Sequence, residues 1–339
     1  MNRSDLSPRR RLRRALLAAA AAVAGASLAV AVASAGAAQT LPPGATLVAS
    51  VLIPNDGPVT YGLGSVWAVD RENGAIHNGQ PMGRLYRIDP RTTRVTGLIP
   101  HVTGGSASVG SGSVWLASFV LNRVLRVDPA SHHVTWITTG AEPLDVLALP
   151  GGIWVSNHHD GDVVVVDPAT NAVTTSVPVF RKGPDGPQAL ASDGTSVWVA
   201  IPGADLTESA IVRINAATRT VTGTVLGLPD GPCGGVVATT AKVWATASDC
   251  DGTGVMQVDP ATNGLVDYFH TAGLPGDALF AFGSLWIVTR SPDQLVRVDP
   301  ATDQIVGAQP LPATPWNLTT DGHRLWVRVQ GAVLNLSPQ

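Results

Sequence analysis

Gly112-Ser113-Val114-Trp115, followed shortly by Leu125-Arg126-Val127-Asp128-Pro129, is the stretch that decides the fold. Its first half recurs at Gly64-Ser65-Val66-Trp67, Gly152-Ile153-Trp154, Thr195-Ser196-Val197-Trp198, Lys242-Val243-Trp244, Gly283-Ser284-Leu285-Trp286 and His323-Arg324-Leu325-Trp326. The tryptophans stand 48, 39, 44, 46, 42 and 40 residues apart, so one rule places seven of the nine. The second half recurs as Tyr86-Arg87-Ile88-Asp89-Pro90, Val164-Val165-Val166-Asp167-Pro168, Val212-Arg213-Ile214-Asn215-Ala216, Met256-Gln257-Val258-Asp259-Pro260 and Val296-Arg297-Val298-Asp299-Pro300. A degenerate copy, Leu334-Asn335-Leu336-Ser337-Pro338, closes the chain.

Asp-Pro followed by Ala-Thr makes a turn by mechanism, because Asp bonds its local backbone and Pro pre-sets φ. A Thr/Val-rich run such as Ala172–Val177 then reads as a strand. Each unit thus supplies four short strands, A to D, in a meander with Trp on strand B. A period of roughly 40–45 residues with four strands is the length of a propeller blade. The expectation is an all-β, seven-bladed propeller of four-stranded antiparallel blades.

Counting strands explains the ends. The last unit supplies A (around Trp316 to Thr320), B (Leu325–Val329) and C (Ala332–Leu336) but no D. Thr46 to Leu52, Thr-Leu-Val-Ala-Ser-Val-Leu, reads like the D strands elsewhere. The mature N-terminal strand is therefore expected to complete blade seven, removing an exposed edge.

The chain opens with a different kind of segment. Arg9, Arg10, Arg11, Arg13 and Arg14 precede an apolar run from Ala15 to about Ala33, and small residues follow up to Ala38. Basic, apolar, small is the order of a secretory signal peptide, and the adjacent arginines also suit the twin-arginine route. Residues 1–38 are expected to be removed, leaving 39–339 as a secreted or cell-surface propeller. An uncleaved anchor is the alternative, and only then is a membrane a partner. The mature part carries 16 bases and 24 acids. That acidic balance repels phosphate backbones and argues against nucleic acid as a partner.

Cys233 and Cys250 flank one hairpin of unit five. A turn at Ala241-Lys242 would pair Thr239 with Trp244 and, by twos, Cys233 with Cys250. A disulfide suits an exported chain with an even cysteine count. A cysteine nucleophile paired with a histidine is the rival reading.

Repeated turns leave the non-repeating loops as the place for function. The D–A and B–C loops share one face of a propeller, around the channel mouth. Ligand-binding candidates there are Asp70, His101, His158, His159, Arg181, Asp249, His270, Arg290, Trp316 and Arg328. His158, His159 and His270 are the candidate metal ligands, for a divalent ion such as Mg. The alternative for His158-His159-Asp160 is a solvated loop, since adjacent side chains diverge. G-x-S-x-G, H-E-x-x-H, C-x-x-C and phosphate-binding glycine loops are absent from the sequence.

The Gly-Ser-Val-Trp … Val-x-Arg-Val-Asp-Pro-Ala-Thr pattern resembles bacterial YVTN-type propellers and the streptogramin B lyase-like superfamily. The resemblance covers the mature chain and implies the seven-bladed fold. Streptogramin lyases place Trp-Phe-Thr-Glu on strand B, where a glutamate with histidines serves a Mg-dependent elimination. Here the equivalents read Trp154-Val155-Ser156-Asn157, Trp198-Val199-Ala200-Ile201 and Trp286-Ile287-Val288-Thr289, and none of the seven ends in Glu. The expected function is an exported, monomeric binding or interaction propeller holding a small molecule or a protein at the mouth. A metal-assisted lyase or lactonase-type hydrolase is the alternative.

Overall fold

The computed structural model describes residues 42–247 and 252–339. The proposed leader lies outside them, as do Asp249 and Cys250. Among the described residues the chain forms seven four-stranded antiparallel sheets, plus one two-stranded hairpin. Blade three shows the pattern: A is Pro143–Leu149, B is Gly152–Asn157, C is Asp162–Asp167 and D is Ala172–Pro178. The small hairpin, Ile76–His77 with Gln80–Pro81, is an insertion in the B–C connection of blade one. It accounts for the longest Trp-to-Trp spacing.

B strands are buried on both faces, because each sheet is sandwiched between two others; Ser113–Ser118 is buried throughout. D strands lie at the rim and alternate toward solvent, as Ala172–Pro178 does. The apolar core is not central but divided into seven layers between blades. Trp67 packs with Val114, Leu116 and Leu125 of blade two. The series continues until Trp326 meets Val59, Val66 and Ala68 of blade one. Each such Trp buries about 150–250 Å² and is worth about 4–6 kcal/mol in apolar transfer, an upper figure.

The Asp-Pro turns work as the residue types require. Asp128 Oδ1 accepts the amide of Ala130 at 2.8 Å, and Asp299 Oδ1 that of Ala301 at 2.8 Å. In blade four Asn215 does the same for Ala217 at 3.0 Å. The turn ends on a left-handed residue, such as Asn171 (φ 58°) or Asn263 (φ 52°), after which the chain enters strand D.

The ring closes as the strand count requires. Ala45–Leu52 pairs antiparallel with Ala332–Pro338, in the register Val51↔Val333 and Leu47↔Leu336. The C-terminal strand that reads as degenerate is thus an interior strand with a neighbour on each side.

Blade five corrects the sequence reading of its hairpin. The observed register is Val237↔Trp244 and Ala238↔Val243, with Thr239 N donating to Lys242 O at 2.8 Å. The turn residues are therefore Thr240-Ala241, two positions off in pairing. Thr239 is the cause: its Oγ1 accepts the Lys242 amide at 2.9 Å and donates to the Lys242 carbonyl at 2.9 Å, which tightens the loop. The Cys233–Cys250 pairing itself falls partly outside the described residues.

Candidate functional site

Strand A of every blade is the inner edge of its sheet, so the seven A strands wall the channel. An edge strand carries backbone N–H groups that its own sheet does not satisfy. Pro-x-Asp or Pro-x-Asn supplies the answer at three blades: Pro143-Leu144-Asp145, Pro275-Gly276-Asp277 and Pro315-Trp316-Asn317. Each falls where the A–B register shifts. Such bulges re-aim a side chain.

The re-aimed groups bond the next blade. Asp145 Oδ2 accepts the Leu190 amide at 2.7 Å, and its Oδ1 accepts the Val146 amide at 2.8 Å and the Ser106 hydroxyl. Asp277 Oδ2 accepts the Leu318 amide at 3.2 Å. Asn317 Oδ1 accepts the Val59 amide at 2.9 Å while its Nδ2 donates to the Val59 carbonyl at 3.0 Å. Hydroxyls on strand B complete the stitching: Ser156 Oγ donates to Gln188 O at 2.7 Å and Thr246 Oγ1 to Gly276 O at 2.6 Å.

Inside this ring lies a cavity of about 610 Å³ that draws its wall from A strands of all seven blades. Asp145, Asp277, Asn317, Trp316 and Arg290 line it. Burial pushes the Asp277 carboxyl up to about 7, and the charge of Asp145 adds to the rise; the Leu318 and Ala278 amides oppose it. Burial also raises Asp145, against the Ser106 hydroxyl and the Leu190 and Val146 amides. Two acids thus share one lumen. At the rim Arg71 sits with its guanidinium carbon 5.9 Å from the Trp316 ring centroid, held from behind by Asp56 at 2.5 Å.

The sequence-derived candidates divide sharply. Arg290 and Trp316 line the cavity. Arg328 is fully buried and donates to the carbonyls of Ile53 (3.1 Å), Ala332 (2.9 Å), Pro54 (2.9 Å) and Asn55 (3.0 Å). Burial lowers its pKa to about 10, even with Asp70 and Asp56 nearby. It fastens the segment that leaves the closing strand. Asp70 is also buried and binds Asn55 Nδ2 at 2.9 Å and the Glu72 amide at 3.0 Å. Arg181 pairs with Glu208 at 2.6 Å.

The histidines are dispersed. His158 approaches two carbonyls, Pro184 at 2.7 Å through Nε2 and Pro187 at 3.3 Å through Nδ1. His159 is exposed. His270 Nδ1 lies 2.9 Å from Thr253 Oγ1, and its ring meets Tyr268 edge-on. His101 Nδ1 lies 3.2 Å from the Pro81 carbonyl. Among the described residues no three His, Cys, Asp or Glu side chains gather as metal ligands would.

Asp145 and Asp277 are not among the sequence-derived candidates, and both stand on A strands. The recurring Pro-x-Asp/Asn-aliphatic triplet was the available signal. No family model and no curated protein matches the sequence. Among solved structures the chain is similar to the hydrazine synthase of Kuenenia stuttgartiensis, with a TM-score of 0.68, at 15% identity, over 85% of this chain and 97% of that one. At that identity the likeness speaks for the fold, a seven-bladed β-propeller.

Proposed function

We propose that this is an exported binding propeller that holds a small polar ligand in the lumen, with the ligand's positively charged part toward Asp145 and Asp277. One observation carries the reading. Asn317 makes the inter-blade stitch with an amide, so a carboxylate is not required at that blade position, yet two blades keep one beside the cavity. Two part-buried acids face one space; desolvation raises the Asp277 pKa, and the charge of Asp145 adds a smaller repulsion. Groups held at such a cost are concentrated at binding and catalytic sites. A cationic ligand offsets that repulsion and gains a desolvated ion pair.

The basic and aromatic rim, Arg290 and Trp316, suits a ligand with a polar or flat outer end. The leader-like residues 1–38 and the acidic mature chain support export and a non-nucleic-acid ligand. The blade-motif likeness to YVTN-type and streptogramin B lyase-like propellers fits the same setting. A thermal-shift screen of small amines, zwitterions and carboxylates tests it. Amine-bearing compounds are expected to raise the melting temperature of the wild type and not of an Asp145→Asn/Asp277→Asn double variant. Hits confined to carboxylates, or hits equal in both proteins, would defeat the reading.

A further inference from the structure

A second, smaller cavity of about 180 Å³ adjoins the lumen between blades one and two. Gly105 belongs to the walls of both. Arg71, Thr103, Ser118, Phe119 and Val120 also line the smaller one. Phe119 and Val120 are 45% and 41% exposed and present apolar surface at its edge.

Ser118 stands three residues past the blade Trp, the last position of strand B. The equivalent polar residues in other blades are fully engaged. Asp70 holds Asn55 and the Glu72 amide, Asn157 holds Thr139 O and Asp162, and Thr289 donates to Pro292 O. Ser118 is 1% exposed and its hydroxyl has no hydrogen-bond partner among the described residues. A buried hydroxyl without a partner costs about 1–3 kcal/mol, so its retention beside a cavity needs a reason. A ligand that bonds it is one.

We propose that this pocket binds a small uncharged group bearing a hydrogen-bond acceptor next to a short apolar arm, such as a carboxamide or ester. Ser118 Oγ donates to the acceptor, and Phe119 with Val120 covers the arm. Charge matching selects the neutral form. Arg71 is already answered by Asp56 through Nε at 3.2 Å and Nη2 at 2.5 Å, so an anion gains little. Among the described residues no carboxylate lines the pocket, so a cation gains nothing. Gly105 keeps the space open: a Cβ there would stand 4.0 Å from both Arg71 Nη1 and Phe119 Cδ1.

Isobutyramide, isobutyrate and isobutylamine share a shape and differ in charge, and serve as probes by ligand-observed NMR titration of the mature chain. In an Asp145→Asn/Asp277→Asn background, whose lumen lacks both carboxylates, isobutyramide is expected to bind more tightly than its charged analogues. Ser118→Ala is expected to weaken it about fivefold, with a melting temperature equal to or above that of the wild type. Gly105→Val, which fills the pocket from the opposite wall, is expected to abolish binding. Asp277→Asn is expected to leave it unchanged. Tighter binding of a charged analogue in the Asp145→Asn/Asp277→Asn background, undiminished isobutyramide binding in both pocket variants, its loss in Asp277→Asn, or no detectable isobutyramide binding to the wild type would each overturn the proposal.

Discussion

Arg213 of blade four donates through Nη1 to the carbonyl of Pro260 in the Asp-Pro turn of blade five, at 2.6 Å. The same guanidinium lies 5.1 Å from the Trp198 ring centroid and bonds Ser196 Oγ at 2.8 Å through Nε. Arg126 repeats the arrangement with Trp115, Ser113 and the Pro168 carbonyl. Ser, Trp, Arg and Asp-Pro are therefore one joint, in which an arginine ties its own blade's Trp to the next blade's turn. This is why those residues recur together.

Blade five departs from the pattern in two places that compensate each other. Lys242 stands where blades one, two, four and six have Ser, and Gln257 where those blades have Arg. Lys242 Nζ now reaches the Pro300 carbonyl at 2.6 Å and Asp303 at 3.0 Å, and Gln257 reaches Asp303 at 2.7 Å. Lys242→Ser or Gln257→Arg alone is expected to cost about 1–3 kcal/mol, since each leaves the buried Asp303 short of a partner or crowds it. The double variant rebuilds the common joint and is expected to lose at least about 1 kcal/mol less than the sum of the two. Urea midpoints of the four proteins measure the coupling.

Arg328 fastens the start of the propeller to its end. Arg328→Met keeps the apolar stem but strands five carbonyl partners, and is expected to destabilise the fold by about 3 kcal/mol or more. Hydrogen exchange should localise the damage. Faster exchange across residues 45–53 with blades two to five protected is the expected pattern, and uniform change around the ring would contradict it.

Asp277 makes stability depend on pH in an unusual direction. Its carboxyl titrates near 7 when folded, against 3.8 when unfolded. The folded state therefore holds the proton more tightly, and this group's stability is greatest in acid. That contribution declines as pH rises from about 4 to 7 and is constant above. Asp277→Asn retains an acceptor for the Leu318 amide, as Asn317 does for Val59. It is expected to raise stability at pH 8 by on the order of 1–3 kcal/mol, with little gain at pH 4. Melting curves of both proteins at the two pH values read this difference directly.

The ring was legible in the sequence because its joint is made of residues that repeat. The missing D strand of blade seven was legible for the same reason, as a deficit in a regular count. Arg328 was not: it reads as a mouth arginine, and its burial arises only when the N-terminal strand and the segment after it close over it. Asp145 and Asp277 sit among Gly and Pro and resemble loop residues, while a bulge in strand A turns them onto the channel wall. Ser118 carries no signal at all in one sequence, because what distinguishes it is a partner that its counterparts possess.

The cysteines remain coupled to the export reading. Cys233 is nearly buried at 6% exposure, a poor setting for a nucleophile. Alkylation of secreted protein without reductant is expected to leave its mass unchanged, and two added alkyl groups would refute a bridge. The same sample is expected to begin near residue 39; an N-terminus at Met1 would refute cleavage.

The central claim is that Asp145 and Asp277 make the lumen a site for a cationic group. A ligand that needs Asp277 ionised binds only the deprotonated fraction, which rises about tenfold between pH 6 and 8 for a group titrating near 7. The affinity of the best amine from the screen, measured calorimetrically across that range, is expected to rise by about that factor in the wild type and to stay flat in Asp277→Asn. An affinity independent of pH in the wild type, or one that rises equally in the variant, would contradict it.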